Sequence, residues 1–392
     1  MKNRIPSFCP VLFCAAPLIA LLAGCGDGKT AADKGEAALL AGNYQVAARA
    51  LDTAARKTEP TSPLYYNLGA AKARAGDVQG AIRAFENAET TDISNLDALE
   101  YRANMLLKAG DPAGAHELLD RAIDDVSGSA AKARMENSLA VAEHALNRDD
   151  LACLRLAKAI RTDPGYAPSY YNLARILEEA YQFHAGALAN MRKFAEMTDA
   201  NDARLANAEK FIAEVKAADE ASAKPPHASS PAAAKLIAQG KDAYARSRWS
   251  LAEDFFSKAL DADPDSSEAA LQLALTRYNA RHFDAAAEAY AKAAALDPGQ
   301  FTPVFMQARL AYTAGNPARA LQLITGVAVP RWPDNPQCYD LAAYSWATQR
   351  RFYEARLYGS VYLELSRAAG ANVAQFEEWF AKLPQIPLQP DN

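Results

Sequence analysis

Residues 64–88 read LYYNLGAAKARAGDVQGAIRAFENA. Apolar residues recur at three- and four-residue spacing in both halves of this stretch, as at Leu64 and Leu68 and again at Ala81 and Phe85. That spacing places them on one face of a helix, whereas a strand would alternate every second residue. The stretch therefore predicts two short helices joined by a turn.

The small residue at Ala81 recurs along the chain at intervals close to 34 residues. A repeat of this length indicates one supersecondary unit stacked on its neighbours, rather than part of a single globular core. No alternating strand pattern appears anywhere, so we predict an all-α solenoid of helix-turn-helix repeats. The alanines that define the register are Ala47, Ala81, Ala115, Ala152, Ala187, Ala252, Ala286, Ala320 and Ala355.

Turn residues recur with the same period. Glycine adopts the left-handed conformation that ends a helix, and a following Asn or Asp caps the next helix. Asp before proline then ends the second helix of a repeat, because proline disfavours helical geometry in the residue before it. These pairs are Gly42-Asn43, Gly76-Asp77, Gly110-Asp111 and Gly315-Asn316, and then Asp163-Pro164, Asp263-Pro264 and Asp297-Pro298.

The opening Tyr65-Tyr66-Asn67-Leu68-Gly69, with the turn and the small and aromatic residues after it, resembles the consensus of the tetratricopeptide repeat family. Tyr170-Tyr171-Asn172-Leu173-Ala174 repeats that opening. The resemblance implies nine repeats over roughly residues 28–370, of which the fifth and the ninth are degenerate. It also implies a groove, lined by the first helices of successive repeats, in which a peptide of a partner protein binds.

The register is interrupted between the fifth and sixth alanines, which predicts two arrays of about five and four repeats. Amphipathic helices are expected to cap both arrays, one over residues 201–218 and one that carries Phe376, Trp379 and Phe380. A stretch rich in Pro, Ser and Ala lacks apolar periodicity and is predicted to be a linker. The predicted segments are a signal peptide at 1–24, the first array at 25–218, the linker at 219–232, the second array at 233–383 and a tail at 384–392.

The start of the chain has the features of an export signal. Lys2 and Arg4 precede an apolar run over residues 8–23, which is too short for a comfortable transmembrane helix. Leu22-Ala23-Gly24-Cys25 follows and resembles the lipobox of bacterial lipoproteins. The resemblance implies cleavage before Cys25, acylation of that residue with palmitate-type chains, and anchoring through lipid. An ordinary secretory signal or a short membrane anchor is the alternative.

Gly26, rather than Asp, follows the cysteine. By the sorting rule of bacterial lipoproteins, this favours the outer membrane, with the protein facing the periplasm. We therefore expect a protein of the cell envelope.

Charge excludes a nucleic-acid binder, which would need a basic surface to replace the counterions of phosphates. The chain carries 42 Lys and Arg and 47 Asp and Glu, a net charge of −5. The first array, residues 25–218, has 23 basic and 28 acidic residues, whereas the second, residues 233–392, has 16 and 17. The second array therefore repels an acidic peptide less.

No residue pattern predicts catalysis, a metal site or a cofactor. The segment Ala23–Thr30 ends in Gly-Lys-Thr, but a phosphate-binding loop must lie between a strand and a helix, and no strand pattern precedes it. The five histidines are expected at the surface or in turns, and the isolated Cys153 and Cys338 are expected to be small apolar helix residues. We predict neither an enzyme nor a nucleotide-binding protein.

A column of tyrosines marks the candidate groove of the second array. Tyr244, Tyr278 and Tyr312 stand 34 residues apart in consecutive repeats, and Tyr344 lies near the continuation. Tyrosine buries a large ring at modest entropic cost and keeps a hydroxyl for hydrogen bonding. Because tyrosine is also the usual family residue in this column, simple packing between helices is the alternative.

The family geometry adds further residues to both grooves. The predicted groove of the second array consists of Lys241, Tyr244, Leu271, Gln272, Tyr278, Phe305, Arg309, Tyr312 and Tyr344, with Asp340 beside it. A secondary groove in the first array is formed by Asn67, Arg74, Asn104, Asn172 and Arg175, of which the two family-type asparagines could bind a peptide.

The sequence thus favours a lipid-anchored scaffold or adaptor that binds protein or peptide partners at the cell envelope. Pilotins, outer-membrane assembly components and adaptors of cell-wall hydrolases are the types it resembles by fold analogy. The alternative is a surface lipoprotein that captures carbohydrate, in which the tyrosines and Trp249 would stack on sugars.

Overall fold

The computed structural model describes residues 27–222 and 229–385. Within those ranges the chain is helical and contains no strand, which confirms the all-α prediction. It divides into two compact units, Met1–Val215 and Lys216–Asn392. The signal sequence and Cys25 lie outside the described residues, as do the last seven residues of the predicted tail.

The first unit consists of five helix pairs and the start of an additional helix. In each pair the two helices pack side by side, and each second helix packs on the first helix of the next pair. The helices are α1 (Asp27–Leu40), α2 (Tyr44–Lys57), α3 (Ser62–Arg74), α4 (Val78–Thr91), α5 (Leu96–Lys108), α6 (Pro112–Ala122), α7 (Ser129–Ala145), α8 (Asp149–Thr162), α9 (Ala167–Glu179), α10 (His184–Met197) and α11 (Leu205–Ser222).

The second unit has four helix pairs and a short last helix. The second helix of its third pair is interrupted by a π-helical turn at Ile324–Ala328. The helices are α12 (Pro231–Ala245), α13 (Trp249–Ala262), α14 (Ser267–Asn279), α15 (Phe283–Leu296), α16 (Phe301–Thr313), α17 (Pro317–Leu323), α18 (Val329–Arg331), α19 (Pro336–Thr348), α20 (Phe352–Ala368) and α21 (Ala374–Ala381).

The nine register alanines lie where the helices of each pair meet, and none of them is accessible to solvent. Small residues on the first helix face large rings on the second helix. A methyl group added at Gly69 would lie 2.7 Å from the ring of Phe85, and one added at Gly240 would lie 2.5 Å from the ring of Phe256. The helices therefore nest because a small side chain and a ring share one space.

The turn prediction is confirmed at Gly76, Gly110 and Gly315, which have positive φ angles and precede an Asp or Asn side chain that accepts a hydrogen bond from the next helix. Gly42 also has a positive φ, but the side chain of Asn43 does not cap α2. In the other five repeats a residue other than glycine adopts this left-handed conformation. The conformation costs such a residue about 1–2 kcal/mol, because its Cβ approaches the following carbonyl oxygen. These residues are Asn147, Gln182, Ser247, Arg281 and Arg350.

Three boundaries differ from the sequence prediction. The helix expected over residues 201–218 begins at Leu205 and continues to Ser222, because alanine-rich sequence sustains the helix. At the other side of the predicted linker, Pro231 is the first residue of α12 and Ser230 caps it through its side chain. Proline suits this position because its missing N–H has no partner in a helix anyway. Residues 219–222 and 231–232 are therefore helical rather than linker.

Both predicted capping helices cover an end of their repeats. In the first unit, Phe211 and Val215 of α11 are buried in the core that α9 and α10 form. In the second unit, Phe380 of α21 packs against α20, where a methyl group added at Gly359 would lie 2.6 Å from its ring. Phe376 of α21 is buried as well. The last apolar faces of the described residues are thus covered within the chain.

A cluster of charged side chains lies in the interior of the first unit. Arg155 of α8 is 4% exposed and donates hydrogen bonds to Glu136 (3.0 Å), Glu143 (3.3 Å) and Asp120 (3.3 Å). Lys158 forms a second ion pair with Glu136, at 2.5 Å. Burial alone would raise the pKa of Glu136, but the two cations outweigh it and lower that pKa. One guanidinium therefore holds α6, α7 and α8 together.

His116 belongs to the same cluster, which corrects the expectation that every histidine lies at the surface or in a turn. Its side chain on α6 is 5% exposed, and its Nε2 lies 3.5 Å from the carboxylate of Glu143. Glu143 is fully buried, so a polar partner beside it is needed. The cysteines follow the prediction, since Cys153 and Cys338 are buried free thiols.

Candidate functional site

The tyrosine column extends over three consecutive first helices of the second unit. Each hydroxyl reaches the first helix of the following repeat. Tyr244 accepts a hydrogen bond from Asn279 Nδ2 at 2.7 Å, and Tyr278 accepts one from Arg309 at 2.7 Å. The hydroxyl of Tyr312 lies 3.4 Å from Oγ1 of Thr348. The tyrosines therefore connect successive repeats.

The rings of this column are partly exposed and have aromatic or cationic neighbours. Tyr244 packs edge-on against Trp249 with ring centres 5.1 Å apart, and Tyr278 lies 5.7 Å from Phe283. The guanidinium of Arg309 lies 5.3 Å from the centre of the Tyr278 ring. Packing between helices and partial exposure thus occur together, so the alternative of simple packing describes only part of what these rings do.

The other predicted residues of this groove lie on the same helices. Lys241 forms an ion pair with Glu268 of the next first helix, at 2.6 Å. Leu271 and Phe305 pack against the core and remain partly exposed, and Gln272 is partly exposed as well. Nine residues that the sequence placed in one groove therefore lie along neighbouring first helices.

Tyr344 differs from the other tyrosines because α21 contacts it. Its ring centre lies 4.3 Å from that of Trp379 and 5.5 Å from that of Phe376. Burial, together with the nearby carboxylate of Asp340, raises the pKa of the Tyr344 hydroxyl. The capping helix thus defines one end of the tyrosine-lined surface.

The secondary groove predicted in the first unit consists mainly of buried side chains. Asn67, Asn104, Asn172 and Arg175 are between 1% and 6% exposed. Asn172 donates to Asn137 at 2.9 Å, and Arg175 forms an ion pair with Glu179 at 2.6 Å. Hydrogen bonds between neighbouring side chains thus occupy much of this polar surface.

The two remaining contacts of this predicted groove are also internal. Asn67 donates to Glu36 at 3.3 Å, and Arg74 donates to the hydroxyl of Tyr44 at 3.1 Å. In this conformation, most of the polar side chains that were predicted to form the secondary groove are therefore buried or bonded within the first unit.

Sequence reasoning missed several residues that complete the second surface. Asn279 donates a hydrogen bond to the hydroxyl of Tyr244, and the hydroxyl of Thr348 lies beside that of Tyr312. Phe283 packs beside Tyr278. A signal was present, because Trp249 and Phe283 each follow a column tyrosine by five residues. That spacing places an aromatic residue at the start of the second helix, just beyond the turn.

A cavity of about 780 Å³ adjoins the column at the Tyr278–Arg309 pair. Residues of α14 to α17 line it, among them Phe283, Arg281 and Arg319. The cavity extends the tyrosine surface toward the second helices with a mixture of rings and charges.

This arrangement is suited to noncovalent binding. No group of three or more metal-binding side chains occurs in the described ranges. None of the helices described is both long and apolar enough to span a membrane. The surface presents partly exposed rings, single charges and hydrogen-bonding side chains at regular intervals. Helical repeats bind peptides through side chains of these kinds.

Several solved structures are similar to the chain. The Cut9–Hcn1 hetero-tetramer of APC/C is 16% identical, with 90% of this chain and 82% of that one covered and a TM-score of 0.35. MamA of Desulfovibrio magneticus RS-1 is 22% identical, with 46% and 100% covered and a TM-score of 0.38. PilF of Pseudomonas aeruginosa is 19% identical, with 67% and 99% covered and a TM-score of 0.32.

No curated protein matches the chain. A family model described as tetratricopeptide repeat matches residues 32–98, 101–167 and 237–301, which together make up slightly more than half of the sequence. The matched segments lie in both units and contain six of the nine buried register alanines. The chain therefore belongs to the tetratricopeptide repeat family, a family of protein-interaction scaffolds.

Proposed function

We propose that the second unit binds a peptide segment of a partner protein along the tyrosine column, and that the chain is a noncatalytic adaptor anchored to the bacterial envelope by lipid. The observation that carries the first part is the row of Tyr244, Tyr278 and Tyr312. Their hydroxyls are directed to the next repeat, while their rings stay partly exposed on consecutive first helices.

A row of this kind suits an extended or helical peptide better than a sugar. Successive rings on successive repeats present evenly spaced contacts, and a peptide presents side chains at regular intervals. Stacking on a sugar needs open ring faces close together, whereas Tyr344 packs against Phe376 and Trp379. The near balance of charge in the second array also tolerates peptides of either sign.

The envelope part of the proposal rests on the sequence alone. Lys2 and Arg4, the apolar run and the lipobox-like Leu22-Ala23-Gly24-Cys25 support export and acylation at Cys25. Gly26 supports sorting to the outer membrane, with the repeats in the periplasm. Partners of the pilotin, outer-membrane assembly or cell-wall type would be reached from that position.

Removing two rings of the column should reduce partner capture from envelope extract by about tenfold or more, because tyrosine is enriched among the interface residues whose truncation costs more than about 1 kcal/mol. The experiment crosslinks the full chain in detergent-solubilised envelope and compares the parent with Tyr278→Ala plus Tyr312→Ala. Quantitative mass spectrometry measures the retained proteins.

Tyr44→Ala plus Tyr170→Ala, which removes two rings from the first unit, is the matched control and should retain the partners. Circular dichroism checks that both variants are helical. If the Tyr278 and Tyr312 variant captures the same proteins in undiminished amounts, the column is not the binding surface.

Replacing Cys25 by serine should abolish acylation, because the thiol and the new amino terminus are the sites that carry lipid. An alkyne-labelled palmitate fed to the cells reports the modification, and flotation of membranes on a density gradient reports the anchor. The parent should be labelled and float, whereas Cys25→Ser should do neither. A parent without label, or a Cys25→Ser protein labelled as strongly as the parent, would contradict lipidation at this residue.

A further inference from the structure

Asp340 stands where the preceding repeats have apolar residues. Counting back by 35, 34 and 34 residues leads to Phe305, Leu271 and Ile237. Ile237 is buried, and Leu271 and Phe305 pack against the core of the second unit. The fold of the repeat thus accepts an apolar side chain at this position, and a carboxylate there has no evident role in packing.

Among the residues that the structure describes, the carboxylate of Asp340 has backbone donors but no cationic partner. The backbone N–H of Leu341 donates to its Oδ1 at 2.5 Å. Within the described part of the chain, no Lys, Arg or His nitrogen lies within 4 Å of it, although many other carboxylates of both units are paired in this way. Burial raises the pKa of Asp340 to about 6, because no neighbouring cation compensates for the lost hydration. Near neutral pH the side chain is therefore a partly desolvated anion.

The nearest column residue on the same helix is Tyr344, whose ring has other aromatic neighbours. Tyr344 follows one helical turn later on α19, and burial together with the carboxylate of Asp340 raises the pKa of its hydroxyl. Tyr362 packs against Phe376 at 4.3 Å between ring centres. A cation attracted to the carboxylate would thus lie one helical turn from the ring of Tyr344, to which a cation is also attracted.

We infer that the partner peptide places a lysine or arginine side chain at Asp340, with its aliphatic stem against the rings of Tyr312 and Tyr344. This inference rests on the proposed function of the tyrosine column and adds the chemistry of the occupant. The head group forms a charge-assisted hydrogen bond with the carboxylate, and the stem covers apolar ring surface. The ring faces add a cation–π attraction.

Glu268 offers the contrast within the same surface. It is also a carboxylate on a first helix, but Lys241 already pairs with it at 2.6 Å. A basic side chain of a partner would gain little there, because the charge is compensated and exposed. Of these two carboxylates, Glu268 is compensated by Lys241 and Asp340 is not, so Asp340 is the one that selects for a cation.

The test uses four pools of nine-residue peptides in which the central residue is Lys, Arg, Leu or Glu and the flanking positions are mixed apolar and small residues. The immobilised full chain captures peptides from each pool, and mass spectrometry quantifies them. The Lys and Arg pools should be retained about tenfold more than the Leu pool, which corresponds to one charge-assisted hydrogen bond. The Glu pool should be retained least.

Asp340→Asn should reduce retention of the basic pools to that of the Leu pool. The variant keeps the shape of the side chain and removes an uncompensated charge, so its melting temperature should equal or exceed that of the parent. Glu268→Gln makes the same change of charge on the same surface and should leave the basic preference unaltered.

The outcomes separate this inference from the proposal on which it rests. Retention of the Leu pool that depends on Tyr278 and Tyr312, without a basic preference, would overturn the role of Asp340 and leave the column in place. A basic preference that survives Asp340→Asn, or that Glu268→Gln removes equally, would overturn it too. If no pool is retained, both proposals are wrong.

Discussion

Replacing Arg155 by methionine should lower the free energy of unfolding of the first unit by about 3–5 kcal/mol, because it leaves the buried carboxylate of Glu143 without its arginine and that of Glu136 with Lys158 alone. Glu136 and Glu143 are 2% and 0% exposed, and both accept hydrogen bonds from this guanidinium. Methionine has a comparable length and would fill much of the space, so the loss reports the charge rather than a cavity. Urea unfolding followed by circular dichroism measures it.

Arg121→Met is the matched control, since it removes an arginine from an ion pair with Glu117 whose side chains are 75% and 64% exposed. An exposed pair of this kind contributes at most about 1 kcal/mol. Hydrogen exchange should rise specifically in α6 to α8 of the Arg155 variant. Equal unfolding midpoints for Arg155→Met and Arg121→Met would show that the buried cluster does not hold these helices.

A second variant tests whether charge or packing is responsible. Replacing Glu136 and Glu143 by glutamine in addition to Arg155→Met removes the two buried charges that Arg155 had paired with and keeps their shape, although Lys158 then also loses its partner. Part of the lost stability should return, because neutral amides are less costly to bury than ionised carboxylates. No recovery would indicate that the side chain of Arg155 matters through its packing.

The second large effect is expected for Phe256→Ala, which should destabilise the second unit by about 3–5 kcal/mol. The ring is fully buried and lies in the space that Gly240 leaves open on α12. Its removal opens a cavity between the helices of one repeat, which cannot close without moving α12 against α13. Thermal unfolding and urea titration both measure the loss.

Phe283→Ala provides the comparison, because this ring is 48% exposed and its removal should cost less than about 1 kcal/mol. The converse change, Gly240→Ala, places a methyl group 2.5 Å from Phe256 and should cost about 1–3 kcal/mol by overpacking. Combined with Phe256→Leu, the added methyl should cost less. If the free-energy costs of Gly240→Ala and Phe256→Leu were strictly additive, the two side chains would not share one space as we describe.

The repeat architecture could be predicted from the sequence because methyl-sized residues and rings recur at fixed positions. Ala81 and Phe85 define a helix face that only a stacked neighbour can cover, and Gly76 with Asp77 specifies the turn. Each of these signals is local, so a single sequence contains it. The left-handed conformation of residues such as Arg281 could not be predicted from the sequence. Arginine usually avoids this conformation, so its presence in a turn does not indicate it.

The interior of the first unit was less predictable than its register. Glu136, Glu143 and Arg155 occupy positions that the helical period alone would allow on either face, and charged residues are normally expected outside. Only the arrangement of three helices shows that they meet. The buried state of Asn67 and Asn172 has the same origin, since their partners Glu36 and Asn137 come from the preceding repeat.

The sequence was sufficient to predict which positions line the candidate site, but not which residues contact them. The 34-residue spacing placed Tyr244, Tyr278 and Tyr312 on one surface, as the structure shows. The sequence did not indicate that α21 would reach Tyr344, because that contact depends on how the chain turns after α20. Nor did it distinguish Asp340 from a solvated acid, because this requires knowledge of its neighbours.

The tyrosine hydroxyls also form contacts that a mechanical load along the second unit would stretch. They join each repeat to the next on one side, so pulling the unit lengthwise would stretch these three contacts. The contact between Tyr312 and Thr348, at 3.4 Å, is the longest and should yield first. A bound segment that bridges the same repeats would resist this extension, so occupancy and stiffness should increase together.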